Sequence, residues 1–193
     1  MLFRLRRCHG IALLTLSAAL TSAGSMWGQS ASPNSATLKG EVKVLSAVID
    51  ESMAQTFSPP FGVLEKTKGT YLPGFGVVFA LEVNLYPVTL QRLLAPRPST
   101  KSQLEDELKV KKERIKTIEQ TVPRLLAEHA ESLREIKSDD QVAVVVHLFS
   151  VQSGGQDLPS QIVVQVRKRD LEQYWDKKLS YEQYLKQVRI VEF

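Results

Sequence analysis

The chain has 193 residues, with 25 Lys and Arg, 21 Asp and Glu, and a single Cys; 43% of it is hydrophobic and 24% is charged. That balance excludes a disordered tail, a collagen-like repeat and a disulfide-rich miniprotein, and the length suits one domain of ordinary size.

Residues 1–23 read as a secretory signal peptide. Arg4, Arg6 and Arg7 form a positive start, Ile11 to Ala23 is an uncharged apolar run, and Thr21-Ser22-Ala23 supplies small residues for cleavage. Gln29-Ser30-Ala31 offers a second cleavage position as late as residue 31. The apolar run is shorter than the roughly 20 residues a spanning helix needs, so no permanent membrane span is expected after cleavage. Of the 25 basic groups three, and of the 21 acidic groups none, lie in residues 1–30, which leaves 22 against 21. The basic pI of about 9.2 therefore reflects the leader, and nucleic acid is not an expected partner. Cys8 precedes the apolar run, where a lipoprotein Cys would follow it. The mature chain has no Cys, so disulfide and thiolate chemistry are excluded from it.

Residues 24–36, rich in Gly, Ser and Asn, read as a flexible lead-in to a single domain over 37–193. Leu38, Val42, Leu45, Ile49 and Met53 recur at helical spacing, and Ser58-Pro59-Pro60 should end that helix. Leu72-Pro73-Gly74-Phe75 suits a type II turn, with Pro second and Gly third. Beyond it Val77, Phe79, Leu81, Val83 and Leu85 alternate with Val78, Ala80, Glu82, Asn84 and Tyr86, a strand with one apolar face. Val63 to Tyr71 is its expected hairpin partner.

After a Pro-rich linker near Pro96 and Pro98, a long helical pattern runs from Lys101 to Lys137. Its stripe includes Leu104, Leu108, Ile115, Ile118, Val122, Leu125, His129, Leu133 and Ile136. Pro123 predicts a kink or break near Thr121, which would cap the second half. Gln141 to Ser150 reads as a central strand, apolar on both faces, and Ser153 to Asp157 as the loop to a return strand with Ile162, Val164 and Val166. Asp170 should cap a short helix through Tyr174 and Trp175. Ser180 with Gln183 forms a capping box for another, and Arg189 to Phe193 ends the chain as a strand. The fold class expected is α+β: a mixed or antiparallel sheet covered by one long kinked helix and shorter N- and C-terminal helices.

No catalytic, cofactor-binding or metal-ligating set stands out. Gly74-Phe75-Gly76 precedes a strand, whereas a phosphate loop would precede a helix. His129 and His147 lack the companions a metal site needs. Glu82, a carboxylate within an apolar strand, is expected on a solvated face or paired to a covering helix. The run Lys109, Lys111, Lys112, Arg114 and Lys116 interleaves with Glu105, Glu107, Glu113 and Glu119, the pattern of a solvated helix face. Tyr174, Trp175, Tyr181 and Tyr184 cluster near the C-terminus, either on the core or as a partner-binding surface.

The block Tyr71-Leu72-Pro73-Gly74-Phe75-Gly76-Val77-Val78-Phe79-Ala80-Leu81-Glu82-Val83 resembles one found in an uncharacterised family of exported bacterial proteins. Asp170-Leu171, Tyr174, Ser180 and Glu182 resemble the same group. The resemblance implies export from a bacterial cell and transfers no functional residue. The function expected is that of a periplasmic or secreted, non-enzymatic module of the bacterial envelope, without a cofactor, whose partner is another protein or a second copy of itself. The alternative is a small-molecule binder or hydrolase using Glu82 and His147.

Overall fold

The computed structural model describes residues 33–57, 61–86, 94, 100–149 and 158–193. These belong to one compact unit, Ser32–Phe193. The expected leader, the expected stop at Ser58-Pro59-Pro60, most of the expected Pro-rich linker and the expected loop at Ser153 to Asp157 lie outside the described residues.

Helix α1 spans Ser35–Thr56, starting inside the expected lead-in because the Asn34 carboxamide accepts from the amides of Ala36 and Thr37. The stripe Leu38, Val42, Leu45, Ile49 and Met53 is buried, as its spacing predicts. Strands β1 (Gly62–Leu72) and β2 (Gly76–Asn84) form an antiparallel hairpin. At their turn the Phe75 amide donates to the Leu72 carbonyl at 3.0 Å, and Gly74 has φ +79°, the geometry of a type II turn. Gly76 has φ +130°, and a Cβ there would stand 2.1 Å from the Gln141 carbonyl oxygen, so only glycine lets β2 meet the next strand.

Helix α2 runs unbroken over Lys101–His129 through Pro123, and Thr121 is a buried interior residue, not a cap. The expected break is absent. Proline costs roughly 3 kcal/mol inside a helix, but Ile118, Val122, Leu125 and Leu126 bury themselves on both sides of it, and each fully buried aliphatic side chain returns about 1.5–3 kcal/mol. The helix also stops earlier than Lys137. After a 3-10 turn at Ala130–Ser132, the Glu41 carboxylate of α1 accepts from the amides of Arg134 and Glu135 at 3.0 and 3.1 Å and draws the chain out of the helix. Leu133 and Ile136 are buried all the same, from an irregular segment. His129 departs from the stripe: it is exposed, its imidazole 3.9 Å from the Glu128 carboxylate.

Strands β3 (Gln141–Phe149) and β4 (Gln161–Arg167) follow, then α3 (Lys168–Trp175), α4 (Tyr181–Leu185) and β5 (Arg189–Glu192). Helix α3 begins before Asp170, which sits in its first turn and does not cap it. The fold is α+β. Its sheet has the order β1-β2-β3-β4-β5, with β2 and β3 parallel and the other neighbours antiparallel, hence mixed. Strand β3 is central, as expected. Val77, Phe79, Leu81, Val83, Val142, Val144, Val146, Ile162, Val164 and Val166 share one buried cluster with residues of α1, α2, α3 and α4. The opposite face of β3 is less covered than its composition suggests: Ala143 is buried, Val145 half-buried, and His147 and Phe149 exposed.

Candidate functional site

The C-terminal segment reaches its place through aromatic side chains that bond to the backbone of α2. Trp175 donates its indole N–H to the Ala127 carbonyl at 2.6 Å, and Tyr184 donates its hydroxyl to the Pro123 carbonyl at 2.9 Å. Tyr184 and Leu171 are fully buried, and the Tyr184 hydroxyl is pushed well above the ordinary tyrosine range by that burial. Tyr174, Tyr181 and Tyr184 pack ring to ring at 5.4 to 6.1 Å. The aromatic cluster therefore packs on the domain's own core. The predicted capping box forms: Ser180 Oγ accepts from the Gln183 amide at 3.2 Å and Gln183 Oε1 from the Ser180 amide at 2.8 Å. Helix α4 thus has a fixed start, and the chain turns from it into β5.

Strand β5 lies at the edge of the sheet, and no described strand pairs with its outer side. Its register shows which backbone groups face outward. Phe193 exchanges both hydrogen bonds with Gln161, so the bonded pairs continue at Val191 with Val163 and at Arg189 with Gln165. The amides and carbonyls of Ile190 and Glu192 point away from β4. Beside this edge a groove of about 720 Å³ lies between β5 and α2, lined by Leu185, Val188, Ile190 and Pro123 together with Lys116 and Arg124. Leu185 is 40% exposed and Ile190 39%. The Glu119 carboxyl, which also lines the groove, meets that of Glu192 on β5. Burial first, then the hydrogen bond and charge of Glu192, raise the Glu119 pKa above the ordinary glutamate value. Neither carboxylate forms an ion pair among the described residues.

Glu82 and His147 come together, on another surface. They are register partners on adjacent parallel strands, facing away from the helical layer. Glu82 is half-buried and His147 exposed. Among the described residues no helix covers that face and no ion pair forms to Glu82. His129 belongs to α2, whose buried residues pack on the other side of the sheet, so the two histidines do not combine. Among the described residues no group of three His, Cys, Asp or Glu is placed to hold a metal ion. Gly74-Phe75-Gly76 is a turn between two strands. The basic run is not wholly solvated: Lys111 is buried with Glu107, its partner at 2.7 Å one turn earlier. Arg114 donates to the Leu85 carbonyl and lies 5.9 Å above the Phe61 ring, and burial lowers its pKa.

Sequence reasoning passed over the groove. The sequence predicts a terminal strand over Arg189 to Phe193, but nothing local says that this strand has a free side or that Glu119, 73 positions earlier than Glu192, stands across from it. Comparison of the chain with protein-family models, with curated proteins and with solved structures finds no match.

Proposed function

We propose that the protein is an exported, non-enzymatic domain that works by docking another protein in the groove between α2 and β5. The observation that carries this reading is the edge of β5, unpaired among the described residues, beside exposed Leu185 and Ile190. Apolar side chains left in a groove next to unmet backbone donors and acceptors suit a macromolecular partner better than solvent. Export is supported by Arg4, Arg6 and Arg7 ahead of the apolar run Ile11 to Ala23, which would place the domain in the periplasm or outside the cell. Among the described residues no helix is long and apolar enough to cross a membrane.

The test is cross-linked capture from native envelope extract with the full chain as bait. A partner recovered by the wild type, lost with Leu185→Asp and kept with Phe149→Asp on the open sheet face supports the reading. Recovery of no specific protein, or capture indifferent to Leu185→Asp, defeats it. A second reading, a small-molecule site on Glu82 and His147, is favoured by their register pairing. A thermal-shift screen of small polar compounds distinguishes it: stabilisation that disappears in both Glu82→Gln and His147→Ala would favour that site.

A further inference from the structure

We propose that β5 takes up an extended segment of its partner as a sixth strand, bonded to the backbone of Ile190 and Glu192, with a basic side chain of that segment set against Glu119 and Glu192. The proposal rests on the docking reading above and gives it a partner chemistry.

Three features select an extended peptide over a helix or a globular surface. First, the outward amides and carbonyls of Ile190 and Glu192 present the alternate-residue bonding pattern of a strand edge. Only another extended backbone matches that spacing. Second, Ile190 and Glu192 both point to the helical side, since their partners Val164 and Ile162 are core residues. A sixth strand in register would send every second side chain to that same side, over Leu185, Val188 and Ile190. Small apolar residues at alternate positions fit there. Third, Glu119 and Glu192 bring two carboxylates together, and although Lys116 and Arg124 also line the groove, neither forms an ion pair with them among the described residues. Like charges in contact repel, and a lysine or arginine carried by the incoming strand would relieve the repulsion and fix the register. A second copy of the chain suits the edge less well. On the helical side its own β5 carries Ile190 and Glu192, so two β5 strands pairing about a twofold axis would bring further carboxylates, and no cation, to Glu119 and Glu192.

The test uses the full chain and a labelled synthetic peptide that alternates valine and threonine around one lysine. N-methyl groups are placed on the amides of one peptide edge or of the other. Saturable binding is expected. Methylation along the edge that bonds β5 should weaken it about tenfold, and methylation along the far edge by less than about twofold. Exchange of the peptide lysine for glutamate should cost roughly fivefold, and Glu119→Gln should shrink that difference. No saturable binding, or equal losses for the two methylated edges, overturns strand addition; if groove-dependent capture from extract persists, the docking reading survives that failure. Peptide binding with no partner captured marks the opposite failure. A dimer in sedimentation that Ile190→Asp abolishes would also overturn the proposal, because the occupant of the edge would then be a second copy.

Discussion

The two edges of this sheet are built in opposite ways. At β1 the edge strand is long, 11 residues, but it is interrupted by two register shifts, between Val63 and Glu65 and between Glu65 and Lys68. Within the second, Thr67 turns its amide and its hydroxyl to the Asp50 carboxylate of α1, at 2.8 and 2.7 Å. Lys66 and Lys68 stand exposed on either side, and Lys68 pairs with Glu65. Bulges, lysines and a side chain that consumes a backbone donor are the devices by which sheets discourage further pairing. At β5 the strand is short and regular, its outward groups are unmet among the described residues, and apolar side chains lie open beside it. A protein that guards one edge and leaves a groove at the other has a direction in which its sheet can grow.

Breaking the support of the β5 edge should have the largest effect. Tyr184→Ala removes a fully buried ring and its bond to Pro123, and should cost about 3–5 kcal/mol in denaturant unfolding, with loss of peptide binding. Tyr184→Phe keeps the ring and should cost only about 1 kcal/mol. Opening the guarded edge comes next. Asp50→Ala leaves the Thr67 amide and hydroxyl without their acceptor at a site 8% exposed, and should cost about 2 kcal/mol. Replacing Lys66 and Lys68 together by valine should change stability little, yet turn a monomeric sedimentation profile into one that associates with concentration. If the double variant stays monomeric, the lysines are not what protects β1.

The smallest effect is expected at Glu119, which is half-buried. Its carboxyl holds a proton to higher pH in the folded chain than in the unfolded one. The folded state therefore has its full advantage below the ordinary glutamate pKa of 4.5 and loses it as pH rises through the raised value. Glu119→Gln should melt slightly higher than the wild type at neutral pH, and the gap should close in acid. A gap constant across that range would mean that the carboxyl pair carries no strain.

Much of the fold could be read from the chain because periodicity is local. Leu38 to Met53, Val77 to Leu85 and Ile162 to Val166 each repeat their apolar residues at the spacing of the element they form. The Leu72 to Phe75 turn and the Ser180 box depend on residues three apart. What stayed hidden depends on tertiary contacts. Pro123 does not break α2 because the residues on both sides of it are buried, and α2 ends early because Glu41 captures two amides more than 90 positions away. The candidate site was the least legible part. A free strand edge is a property of sheet order, and the meeting of Glu119 with Glu192 follows from the turn between α4 and β5. Glu82 and His147, by contrast, stand together in the sequence reading as one alternative site, and they are register neighbours.

Amide hydrogen exchange along β5 tests the central claim most directly. In the free protein Val191 and Phe193, bonded to β4, should exchange slowly, and Ile190 and Glu192 should exchange fast. On adding the valine–threonine–lysine peptide the last two should become protected while the alternation elsewhere is unchanged. Slow exchange at Ile190 and Glu192 before any partner is added would mean that the edge is already occupied, and would contradict the account.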